Sequence, residues 1–149
     1  MRGKTAIVTG STSGIGKGIA AALAEAGANV MLNGFGDADE IESQRVDFET
    51  RFGVKAGYHG ADMTKPAEIH ALAAETEAKF GQVDILVNNA GIQHTDRIED
   101  FPDDRWDAVI AVNLSSSFHT TKAVVGGMKK RGWGRIVNIS SVQGLIASV

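Results

Sequence analysis

The sequence predicts a doubly wound α/β domain, a parallel sheet with helices on both faces. Three observations carry this. Short apolar runs alternate with longer amphipathic stretches from one end of the chain to the other. Gly10, Gly14 and Gly16 stand where the first apolar run gives way to the first amphipathic stretch. Polar or glycine-bearing turns then follow the later apolar runs, on what would be the same edge of the sheet.

The elements follow in order. Residues 5–9, 29–33, 54–60, 85–87 and 135–140 read as strands. Residues 16–26, 37–52, 66–80 and 103–131 read as helices. Gly27 sits where the first helix would end. Thr64 is placed to cap the third helix, with Pro66 in its first turn. Asp103 or Asp104, after Pro102, would start the last helical stretch. Parallel strands with right-handed crossovers predict the order 3-2-1-4-5, with the switch point between the first and fourth strands. Ligands bind outside the carboxyl ends of the strands at such a point.

The glycine turn suits a pyrophosphate. Gly10 lets the chain leave the strand sharply, Gly14 leaves room for a phosphate against the backbone, and Gly16 lets the helix pack closely. The N–H groups and dipole of the following helix favour an anion. Ser11, Thr12 and Ser13 carry hydroxyls that reach either a phosphate or ribose, or their own turn backbone. Ile15 would face the same ligand.

Composition sets limits. The 149 residues suffice for one domain, residues 1–149, with 43% hydrophobic and 22% charged residues. A net charge of −3 gives no electrostatic reason to expect nucleic acid or an anionic membrane. There is no cysteine, no apolar run of membrane-spanning length and no signal-like start, so a cytoplasmic location is expected. The four histidines show no metal-ligand spacing, and no metal is expected.

Further motifs stand behind the later strands: Asn88-Asn89-Ala90-Gly91, Asn113 in the last helical stretch, and Ser140-Ser141. With the glycine turn, in this order, they resemble the short-chain dehydrogenase/reductase family over the whole chain. The resemblance implies a Rossmann-type fold and hydride transfer with a nicotinamide cofactor. It assigns Asp62 to the adenine amino group with Met63 beside it, and Asn89, Ala90 and Gly91 to a close approach of backbone to the adenosine ribose, with bracing of neighbouring strands as the other reading of Asn89. The other reading of Asp62 is a helix-start carboxylate. Ser141 would bind the reacting oxygen, and Asn113 would interrupt regular helix bonding and hold a relay water, or else meet solvent as a helix polar residue.

Within the family, residues 32–37 and 91–95 resemble the enzymes that oxidise D-3-hydroxybutyrate. There Gln93 and Gln143 would hold a substrate carboxylate, with His94 either in contact or on the surface. Gln143 departs from the His often found at that place. The second strand ends Asn33-Gly34-Phe35-Gly36, with no cation between Lys17 and Arg45, and Phe35 crowds the position of a 2′-phosphate; NAD is expected. The family's Tyr-x-x-x-Lys would fall past Val149, and the one tyrosine, Tyr58, has no Lys four residues on. The chain is therefore expected to be an inactive N-terminal piece, without the C-terminal strands, of an enzyme that forms a homo-oligomer, a homotetramer, when full length. The alternatives are an NADPH-dependent 3-oxoacyl-carrier-protein reductase and a non-catalytic dinucleotide-binding module.

Overall fold

A computed structural model of the chain describes residues 1–142. Five parallel strands, β1 (Thr5–Val8), β2 (Asn29–Asn33), β3 (Ala56–His59), β4 (Ile85–Asn88) and β5 (Arg135–Asn138), lie in the order β3-β2-β1-β4-β5, as expected. The helices are α1 (Gly14–Glu25), α2 (Ala38–Phe52), α3 (Pro66–Phe80), α4 (Asp103–Ile110) and α5 (Ser116–Arg131).

Alternation along the central strands builds two cores. Ala6, Val8, Val30, Leu32, Ile85 and Val87 point to one face and pack with Ala20 and Ala24 of α1 and Phe48 of α2. Ile7, Met31 and Leu86 point to the other and meet Ile69 and Leu72 of α3 and Val124 and Met128 of α5. Side chains buried on both faces of the sheet are what a parallel sheet covered by crossover helices requires.

Local boundaries and caps differ in places from the expected ones. The helical stretch expected over residues 103–131 divides at a π-helical turn, Ala111–Ser115, which contains Asn113, the residue expected to interrupt its bonding. The third strand begins at Ala56, and the fifth ends at Asn138. The first helix begins two residues early, at Gly14, because the extended Ser13 already accepts from Lys17 N–H. Thr64 does not cap α3: its N–H and hydroxyl both donate to Asp62 Oδ1 (2.9 and 2.8 Å), and Lys65 takes the cap position without a side-chain capping bond. Pro66 does open that helix.

Candidate dinucleotide site

A cavity of about 430 Å³ opens across the carboxyl ends of β1, β2 and β4. Its lining brings together Gly10, Thr12, Ser13, Gly14, Ile15 and Gly16 from the first turn, and Gly34 and Phe35 from the end of β2. Asp62 and Met63 come from the loop after β3, and Asn89, Ala90, Gly91 and Ile92 from the loop after β4. Residues distant in sequence thus converge at the switch point.

The first turn is shaped by close approach. Gly10 has φ +63°, and a Cβ there would lie 2.9 Å from Ala90 Cα. A Cβ on Gly14, at φ +54°, would meet nothing within 4 Å. That free space adjoins the first turn of α1, and no side chain caps the N–H groups there. An anion fits such a cradle, because the donors are unspent and the dipole is favourable.

Ser11 is placed differently from its neighbours. It is fully buried, its hydroxyl donates to Val8 O (2.7 Å) and accepts from Asn33 N–H (3.0 Å), and its carbonyl accepts from Gln44 Nε2 (2.8 Å). Its side chain serves the fold rather than the cavity. Thr12 donates its hydroxyl to Phe35 O (2.8 Å), tying the turn to the end of β2. Ser13 and Ile15 are exposed, and Phe35 stands 68% exposed at the rim. Asp37, too late in the chain for the strand end, caps α2 by accepting from Asp39 and Glu40 N–H. Beside Phe35, a recess of about 160 Å³ is lined by Lys17 together with Asp37 and Glu40.

On the far wall, Asp62 is half-buried, and its carboxyl is held below the usual carboxylate range, first by the Thr64 backbone N–H and then by the Thr64 hydroxyl. Asn89 Nδ2 donates to Thr9 O (2.9 Å) and Gly10 O (3.1 Å), bracing the two loops. Thr9 and Asn33, to which the sequence assigned no role of their own, prove central. Thr9 Oγ1 accepts from the N–H groups of Asn89 (2.9 Å) and Ala90 (3.0 Å). Asn33 is buried and bonded on both sides. Their only signal was position: each is a polar residue ending an apolar strand at the ligand edge.

Toward the open end, Asn113 pairs twice with Ile92: its Oδ1 accepts from Ile92 N–H and its Nδ2 donates to Ile92 O, both at 2.9 Å. The π turn that displaces Asn113 from regular helix sets it against the β4 loop, and π turns recur at functional sites. Gln93 and His94 follow on that exposed loop; His94 pairs with Asp96 (3.7 Å) and stacks edge-on against Phe101. Asn138 at the end of β5 accepts from Asn88 Nδ2 (2.8 Å), and Ile139 N–H donates to Asn88 O (2.9 Å). Ser140 and Ser141, both exposed, therefore start beside the β4 loop. Gln143 lies outside the described residues. Among the described residues no group of three or more candidate side chains could hold a metal, and no helix is long and apolar enough to cross a membrane.

The chain is similar to two D-beta-hydroxybutyrate dehydrogenases. The one from Cupriavidus necator is 57% identical over 99% of this chain and 57% of that protein. The one from Rhizobium meliloti is 57% identical over 97% of this chain and 56% of that protein. The chain thus spans little more than half the length of these relatives. A metagenomic short-chain oxidoreductase solved in complex with NADP superposes with a TM-score of 0.89 at 34% identity, over 97% of this chain and 65% of that one. Residues 4–149 match the short chain dehydrogenase family, and the chain belongs to that family.

Proposed function

We propose that this chain forms the cofactor-binding part of an NAD-dependent oxidoreductase acting on a small 3-hydroxy acid, such as D-3-hydroxybutyrate, with acetoacetate as the product. The observation that carries the cofactor half is the cavity, with its uncapped α1 N-terminus and the open space beside Gly14. The similarity to D-beta-hydroxybutyrate dehydrogenases supports the substrate half.

The bound nicotinamide would supply hydride transfer. The chain's own residues bind and orient. The N–H groups at the start of α1 hold the phosphates, with Ser13 and Ile15 at the mouth. Asp62, kept ionised by Thr64, accepts from the adenine amino group, and Met63 packs beside it. Asn89, Ala90 and Gly91 let the ribose approach backbone. Ser141 donates to the substrate oxygen as charge develops on it. Asn113, already fixed to Ile92, orients a water toward that oxygen. Gln93 and Gln143 donate to the carboxylate without adding charge.

The proton must come from outside these residues. Tyr58, the one tyrosine, donates its hydroxyl to Gly34 O (2.8 Å) and is committed to the fold. Residues 1–149 alone should therefore bind but not turn over. The complete protein would be cytoplasmic and homo-oligomeric, a homotetramer. The exposure of Trp106, Leu114 and Phe118, each more than half open, supports association.

A second reading takes NADP. Lys17 in the recess beside Phe35, and a relative solved with NADP, favour it. Asp37 and Glu40 share that recess and oppose a 2′-phosphate. Calorimetric titration of NAD and NADP into the complete polypeptide decides: NAD should bind at least tenfold more tightly, and tighter NADP binding would overturn the assignment.

A further inference from the structure

Resting on the dinucleotide reading above, we propose that Asn33 is a positioning residue that fixes the separation of the glycine turn from the Asp62 loop, and thereby shapes the adenosine end of the cavity. Asn33 ends β2 and is 1% exposed. Its Nδ2 donates to His59 O (3.0 Å) and Ala61 O (2.9 Å), both on the β3 side. Its Oδ1 accepts from Gly10 N–H (3.3 Å), on the β1 side. Its backbone carbonyl accepts from Ser11 N–H (2.6 Å) and its N–H donates to Ser11 Oγ (3.0 Å). One amide thus spans the first turn and the loop after β3.

These side-chain bonds are not needed to pair the strands. The ladder already sets Leu32 against Val8 and Asn33 against His59. The bonds reach past the ladder to Gly10 and Ala61, which line the cavity, and Ala61 leads directly into Asp62 and Met63. Both amide hydrogens are spent on two carbonyls, and the oxygen on an N–H, so only a primary amide matches this set. Aspartate keeps the acceptor but turns an oxygen against two carbonyls. Serine is too short to reach both sides. Loss of the amide should let the two walls separate, and small displacements of fixed partners weaken binding sharply.

The test titrates AMP and NAD into the complete polypeptide and its Asn33→Asp variant, with folding followed by circular dichroism. The expected result is an affinity about tenfold weaker for both nucleotides, because the cavity walls are no longer held at their bound spacing. The loss should appear in the KM for NAD rather than in kcat. Asn33→Ser, smaller and uncharged, reads the same quantity if the aspartate variant does not fold. A folded variant that binds AMP within twofold of the parent overturns the proposal alone. A parent that binds none of AMP, NAD and NADP overturns the dinucleotide reading, and the proposal with it.

Discussion

Replacing Gly16 by alanine should destabilise the protein although alanine is the better helix former. Gly16 is buried in the first turn of α1. A Cβ there would lie 2.2 Å from Gly10 O and 2.4 Å from Asn89 Nδ2, more than an ångström inside ordinary contact. The first of these is backbone in a turn held by Asn33 and Ser11, and Asn89 is itself bonded to Thr9 O and Gly10 O. The helix cannot withdraw freely, because Ala20 and Ala24 pack on the sheet with no exposure. Overpacking of this kind should cost about 3 kcal/mol, and helix preference should return about 1, leaving a net loss of about 2 kcal/mol. Gly18, in the same helix, is the control: a Cβ there meets nothing within 4 Å, so Gly18→Ala should gain about 0.5 kcal/mol or more. Guanidinium unfolding of the parent and both variants gives the comparison. Equal stability of Gly16→Ala and the parent would refute the packing assigned to this turn.

Other outcomes follow from the same geometry. Thr9→Val keeps the shape but strips the acceptor from two N–H groups, and should cost about 2 kcal/mol in urea unfolding. Gly14→Val, at positive φ and facing the cavity, should weaken NAD binding at least tenfold by calorimetry. The Asp62 carboxyl is depressed in the folded state, so its stabilisation is fully present above its unfolded value near 3.8 and is lost as pH falls through its folded value. The stability gap between the parent and Asp62→Ala should accordingly be constant above about pH 5 and narrow below pH 4; a gap that widens in acid would contradict the bonds to Thr64.

The strand order and most of the cavity were legible because both follow from alternation and from glycines at one junction. Gly10, Gly14 and Gly16 carry their meaning locally, in backbone room and conformation. The contributions of Thr9 and Asn33 are not local. Each satisfies N–H or carbonyl groups far away in sequence, and a lone polar residue at a strand end does not announce which. Ser11 shows the converse: three adjacent hydroxyl residues look equivalent, but Ser11 is buried against Val8 and Asn33, Thr12 bonds Phe35 O, and Ser13 alone of the three is exposed. The break at Ala111–Ser115 falls at Asn113, where the family resemblance implied it; spacing alone does not show it, because residues 103–131 keep helical periodicity through it. Thr64 suits a cap by residue type, but Asp62, two residues earlier, accepts from both its hydroxyl and its N–H.

The central claim, NAD-dependent oxidation of a 3-hydroxy acid, is tested most directly by steady-state NADH formation in the complete polypeptide. D-3-hydroxybutyrate should be oxidised with NAD at a kcat/KM at least tenfold above that with NADP, while residues 1–149 alone give no turnover. Oxidation that requires NADP, or a complete protein inert toward D-3-hydroxybutyrate with either cofactor, would contradict it.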